Sequence, residues 1–264
     1  MNDFTAFGLA NKKSIMKKTL TLLAAAIFGI GIFTAQAQPG GPGFDAAFSK
    51  LFGENQAFTA GLEVQTSDPS SGKSIAMSGK FSFDAGKSRF EMNTADIKGG
   101  AIPPAAAAQM KAMGMDIIVT ISRPEKKITY MIYPGMQSYV ENQAAKGEDA
   151  SPDDFKIETT EIGKETVDGH DCAKNKVVVT GKDGTKHEST VWNATDLKKF
   201  PAKIESNEDG HKVVMLFKDI SFKKPDASSF ETPSNFTKYT SMQSMMQEVM
   251  MKKMGGTMGR PPGQ

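Results

Sequence analysis

Between Lys73 and Asp96 the chain reads KSIAMSGKFSFDAGKSRFEMNTAD. Ile75, Met77, Gly79, Phe81 and Phe83 alternate with Ser74, Ala76, Ser78, Lys80, Ser82 and Asp84. Side chains on a strand point to opposite faces with a period of two, so this run predicts a strand with one apolar and one polar face. Asp84-Ala85-Gly86-Lys87 carries turn chemistry: Asp bonds nearby backbone and Gly tolerates positive φ. Ser88 to Thr94 then returns, with Phe90 and Met92 on one side and Arg89, Glu91 and Asn93 on the other. A long hairpin that is apolar on one side must lie against something. What it covers is the functional question.

The same alternation recurs along the chain. Ala57 to Thr66 turns Phe58, Ala60, Leu62 and Val64 inward. Met115 to Ser122 places Met115, Ile117, Val119 and Ile121 on one face, and Lys127 to Tyr133 does so with Ile128, Tyr130 and Ile132. Gln137 to Glu141 completes a meander. Later strands are expected at 156–167, 170–180, 185–194, 202–207 and 211–222. Asp168-Gly169, Asp183-Gly184 and Asp209-Gly210 supply hairpin turns between them. The pattern predicts about eleven strands in one continuous antiparallel sheet, a mainly β fold with a few helices. Helices are expected over Phe44 to Phe52, from Pro103-Pro104 to a stop at Gly114, and over Tyr239 to Met254. Ala144 to Asp154 reads as a loop and Gly255 to Gln264 as a tail.

The front of the chain has a different character. Met16-Lys17-Lys18, the apolar run Leu20 to Phe33, and Ala35-Gln36-Ala37 form a secretory signal, with cleavage expected after Ala37. Residues 1–15 precede a complete signal, so Met16 is a candidate start. The apolar run is shorter than the ~20 residues of a membrane span. Export points to a periplasmic or secreted protein. Residues 38–56 are then a linker and short helix, 57–236 the folded domain, and 237–264 a Met-rich helix and tail. With a single cysteine, Cys172, no intrachain disulfide forms and a core must supply stability. Of 32 Lys and Arg, four precede residue 38, and of 30 Asp and Glu only Asp3 does, which leaves 28 and 29 in the mature chain. That balance offers no basic excess for phosphates and argues against nucleic acid as a partner.

Catalytic and metal motifs are sparse. His170, His187 and His211 sit in no hydrolase motif, and there is no G-x-S-x-G. His170 and Cys172 share a strand face, yet no further CxxC or HxxxH completes a zinc site. Met242, Met245, Met246 and Met250 lie on one face of the terminal helix. Thioethers one turn apart could hold Cu(I), or simply pack. Methionine is also frequent in the β region, at positions 77, 92, 110, 113, 115, 131, 136 and 215, which suits a wall that adapts to a flexible guest as well as an ordinary core.

Several phrases, in their order, carry a resemblance. They are Gly79-Lys80 to Arg89-Phe90-Glu91, Tyr130 to Pro134 followed by Tyr139, and Gly163 to Cys172. Trp192-Asn193-Ala194, Pro201 to Glu205 and Phe230 to Pro233 complete them. Over residues 57–236 the chain resembles an uncharacterised family of exported bacterial proteins akin to the outer-membrane lipoprotein-carrier group. The resemblance implies a half barrel with helices over its concave face, a cavity for acyl chains, and a lid held by an Arg, for which Arg89 and Arg123 are the candidates. The acylated N-terminal Cys of the receptor is absent, so the soluble carrier is the nearer likeness. The Met-rich terminal helix departs from its pattern.

The expectation is therefore a non-catalytic binding protein that needs no cofactor. Its cavity would be lined by Phe81, Phe83, Phe90, Met92, Ile117, Val119, Tyr130, Ile132, Trp192, Met215 and Phe217. Its partner would be a lipid or an acylated protein, its membrane contact at most transient, and its state monomeric. The alternatives are a Met-rich Cu(I)-binding protein and an envelope protein whose concavity is only its core.

Overall fold

A computed structural model describes residues 48–67, 74–143, 154–182, 184–208 and 211–255. The expected signal and linker lie outside these residues, as do the expected loop and tail apart from Asp154, the last residue of the loop, and Gly255, the first of the tail. The strands are β1 (Ala57–Ser67), β2 (Ser74–Asp84), β3 (Lys87–Asn93), β4 (Ile117–Arg123), β5 (Ile128–Tyr133) and β6 (Ser138–Gln143). They continue with β7 (Lys156–Val167), β8 (His170–Thr180), β9 (Lys186–Ala194), β10 (Phe200–Glu208), β11 (His211–Ser221) and β12 (Thr237–Tyr239). Helix α1 spans Pro104–Met113 and α2 spans Met242–Gly255, while residues 48–51 form a further helical segment.

All twelve strands join one curled, unclosed sheet, in the order β12-β6-β5-β4-β3-β2-β1-β11-β10-β9-β8-β7. The pairings among β1 to β11 are all antiparallel. The twelfth, β12, was not expected and runs parallel to β6. In the two-residue turns at Ala85-Gly86 and Asp168-Gly169 both central residues have positive φ. That geometry matches the right-handed twist of the flanking strands and closes each hairpin tightly.

Register assigns every strand residue to one of two faces, because residues directly opposite share a face. Phe58 faces Phe83 and Ala60 faces Phe81 across β1–β2, and Phe81 faces Phe90 across β2–β3. Leu62 faces Phe217 and Val64 faces Met215 across β1–β11. These apolar rows form the helix-bearing face, and all three helical segments pack on it.

Phenylalanine dominates one half of that face. Phe52, from the N-terminal helical segment, sits 4.7 Å from Phe58, 5.0 Å from Phe83, 5.6 Å from Phe200 and 5.7 Å from Phe217 between ring centroids. Phe48 adds an edge contact to Phe52 at 4.9 Å. Such pairs contribute about 0.5–1.5 kcal/mol each beyond the area they bury. This half is a dense aromatic core.

Candidate functional site

The other half of the helix-bearing face is built from different residues. Ile118 of β4, Tyr133 of β5 and Val140 of β6 are buried on it, with Met92 of β3 and Met131 of β5 packed beside them. Pairing of Ile118 with Met92 and of Val140 with Met131 puts these side chains on the same face as Phe81. Met115, Met136 and Tyr239 extend the wall, and Met110 and Met113 of α1 with Met242, Met245 and Met246 of α2 form a roof. Nine of the 17 methionines thus meet in one compartment. Burial pushes the Tyr133 hydroxyl far above its usual pKa, so it stays neutral there.

Both roof helices are lightly attached. Met110 is the one buried residue of α1, and the rest of that helix is half-buried or exposed. Among the described side chains of α2, Met245 alone is buried, with no exposed surface, while Met251 is 67 % exposed. The two helices end differently. Gly114 closes α1 in the left-handed region at φ 76, and the Met115 N–H returns to the Met110 carbonyl at 2.9 Å. Ser241 opens α2, accepting from the Ser244 N–H at 3.1 Å.

A strap leads into α2 from the opposite face of the sheet. There Arg89 and Glu91 of β3 face Ile121 and Val119 of β4, which face Tyr130 and Ile132 of β5. Phe230, fully buried, packs on Val119, Ile121, Tyr130 and Ile132, and Phe236 packs against the same cluster. Arg123 Nη1 donates to the Phe230 carbonyl at 3.0 Å and to Glu231 Oε1 at 2.6 Å, and its Nε donates to Glu125 Oε1 at 2.6 Å. The chain then rounds the sheet edge as β12, where Lys238 pairs with Glu141 at 2.8 Å, and enters α2 on the helix-bearing face.

The expected cavity residues are split by this register. Phe81, Phe83, Met215 and Phe217 lie in the phenylalanine core, with Phe90 packed against it. Met92 touches both the phenylalanine core and the methionine compartment. Ile117, Val119, Tyr130 and Ile132 point the other way, under the strap. Trp192 is also on the opposite face, between Lys174 and Lys203 of the neighbouring strands. Its indole N–H donates to Glu165 at 2.9 Å, and the two ammonium groups lie 4.9 Å and 4.0 Å from its ring centre. Of the two arginines, Arg89 pairs locally with Glu91 at 2.6 Å, whereas Arg123 holds the strap and not a roof helix directly. Met242, Met245 and Met246 face the compartment, and the Met250 side chain lies outside the described residues. Sequence reading missed Ile118 and Tyr133, which lie on the face opposite to the one expected of their strands; it gave Val140 no face and placed Tyr239 in the terminal helix, whereas Tyr239 ends β12 and the helix begins at Met242. It also missed Phe230, for which no periodic signal exists.

Two further features lie on the opposite face. Glu63, Lys203, Glu205 and Lys212 line a polar cleft of about 450 Å³ with Glu165, Asp168 and Leu216. Its charges are largely paired, Lys212 with Glu205 at 2.8 Å and Lys218 with Glu63 at 3.3 Å. Near it, Cys172 is buried and donates to the His170 carbonyl at 3.4 Å, while His170 Nδ1 meets Asp196 Oδ2 at 2.7 Å. Among the described residues no group of three or more His, Cys, Asp or Glu could hold a metal ion.

Solved structures match the chain at low similarity. A LolA superfamily protein from Nitrosomonas europaea shares 9 % identity at a TM-score of 0.37, over 72 % of this chain and 96 % of that one. The lipoprotein LppX of Mycobacterium tuberculosis shares 10 % at 0.36, over 67 % and 94 %. An outer membrane lipoprotein-sorting protein domain from Vibrio parahaemolyticus, described as putative in its own name, shares 11 % at 0.33, over 72 % and 96 %. No curated relative matches the chain. The sequence model of a domain of unknown function, DUF4412, does match it over residues 58–200, more than half its length, and the protein belongs to that family.

Proposed function

We propose that this is an exported, non-catalytic protein that shields an apolar chain, carried by a lipid or by an acylated protein, in its methionine compartment. The observation that carries the reading is that each roof helix buries a single side chain among those described, Met110 in α1 and Met245 in α2. Burying one such side chain contributes ~1.5–3 kcal/mol, so lifting a helix costs on that order. A guest gains ~0.8 kcal/mol for each methylene it buries, so about two to four methylenes offset one helix. The walls suit such an exchange, because thioether side chains change rotamer readily and fill irregular space. The phenylalanine half remains the fixed base, and the strap keeps α2 tethered while it moves. Residues 1–37 act as the export signal, and residues 57–236 with β12 form the working domain. Among the described residues no helix is long and apolar enough to cross a membrane.

The test is native mass spectrometry of protein taken from envelope extracts, paired with uptake of a fluorescent fatty-acid probe by the delipidated protein. Co-purified lipid, and uptake that weakens when α1 and α2 are cross-linked shut, are expected. Protein that carries no lipid and takes up no probe would end the proposal.

A further inference from the structure

The three methionines of α2 that face the sheet suggest a second ligand for the same compartment. Met242, Met245 and Met246 stand at i, i+3 and i+4 of one helix. Side chains at those spacings are neighbours on one face, with about 5–6 Å between Cβ atoms. All three pack into the cluster that also holds Met113 of α1 and Met136. A methionine has three rotatable bonds, so sulfurs starting from neighbouring positions can be brought to a common point.

Donor chemistry narrows the ion. The described residues offer no cluster of imidazole, thiolate and carboxylate groups that could hold a metal. Thioether sulfur is soft and uncharged, which selects Cu(I) over Zn(II) and over hard cations. Position matters as well. A cation carried into an apolar interior without a partner is strongly disfavoured. Met245 is fully buried, but Met242 and Met246 are half-buried, so an ion held among them stays at the rim beside water. The geometry points to a Cu(I) site on α2 formed by Met242, Met245 and Met246 and completed by one facing thioether, Met113 or Met136.

This site needs the sulfur atoms, whereas an apolar guest needs only bulk. Leucine separates the two, because a Met-to-Leu exchange conserves volume and apolarity. The experiment titrates the full chain with Cu(I) under anaerobic conditions against a chromophoric Cu(I) chelator. The unmodified protein should withdraw one equivalent, and M242L/M246L should bind at least about tenfold more weakly. The thermal midpoint should be unchanged in that variant, and M251L, at an exposed methionine outside the cluster, should bind Cu(I) as the unmodified protein does. An unmodified protein that withdraws no Cu(I), or a leucine variant that withdraws as much, overturns the site without touching the apolar-guest reading.

Discussion

Gly114 and Gly135 pack backbone against backbone. A Cβ on Gly114 would lie 2.6 Å from the Gly135 carbonyl, and one on Gly135 would lie 2.6 Å from the Gly114 carbonyl oxygen. This contact fixes the C-terminal end of α1 to the Pro134–Met136 turn between β5 and β6. The opposite end of α1 follows Gly99 and Gly100, both at positive φ. The helix is thus pinned at its end nearest the meander.

Gly135→Ala should therefore loosen α1 specifically. Gly135 needs no positive φ, so the effect is steric and amounts to about 1–3 kcal/mol, the usual cost of overpacking. Hydrogen exchange should rise over 104–113 and remain unchanged in β1 and β11. Unchanged exchange across α1 would show that the backbone contact does not hold it.

Arg123 should govern the strap, and through it the root of α2. Arg123→Ala leaves the buried Phe230 carbonyl without its donor, at about 1–3 kcal/mol. Glu231→Gln should cost less than about 1 kcal/mol, since that carboxylate is half in water. Proteolysis within 223–241 should accelerate in the alanine variant far more than in the glutamine one.

The same pair sets a pH dependence. The hydrogen bond from Arg123 holds the Glu231 carboxyl below its ordinary 4.5, against a smaller opposing effect of burial. A depressed folded pKa means the ionised form is favoured in the native state, so its stabilisation is complete above about pH 4.5 and is lost as pH falls through the lowered value. Strap protection should decline only in that acid range. Glu231→Gln should flatten this part of the profile, as read by proteolysis between pH 3 and 6.

Cys172 should be inert in the native protein. Burial is the main cause that raises its thiol pKa, so little thiolate exists at neutral pH, and little of the side chain is accessible. A thiol reagent at pH 7.5 should label it only on unfolding. Rapid labelling of the folded chain would mean that the β7–β8 end of the sheet opens in the native protein.

Strand positions and most turns were legible because Asp-Gly turns and period-two alternation are local signals. The face of each strand was less so. β4 reads Ile117-Ile118-Val119-Thr120-Ile121, with apolar residues at both parities. Such a strand is buried on both sides, and alternation alone cannot say which row faces the helices. Pairing of Phe90 with Thr120 settles it, and places Ile118 on the helix-bearing face and Val119 beneath the strap. The strap itself joins residues more than 100 positions apart through Arg123 and Glu231, a contact that no window along the chain contains. Composition showed that methionine is frequent, but the gathering of nine into one half of the face, with Met77 and Met215 left in the phenylalanine core, depends on that same register.

The two halves of the helix-bearing face should respond differently to truncation. Phe52 touches five other phenylalanines within 5.7 Å and has 1 % of its surface exposed. Phe52→Ala should remove about 3–5 kcal/mol and lower the global unfolding midpoint, since β1, β2, β10 and β11 all share that cluster. Met245 is as deeply buried, yet it roots a helix with few other buried side chains. Met245→Ala should cost about 2–5 kcal/mol at its site, but the loss is capped by the free energy of docking α2. Beyond that cap the helix detaches and the sheet persists. The expected result is fast hydrogen exchange over 242–255, increased binding of an apolar dye to the uncovered methionines, and a global midpoint close to that of the unmodified protein. Global unfolding by Met245→Ala would show instead that α2 is integral to the core and does not act as a cover.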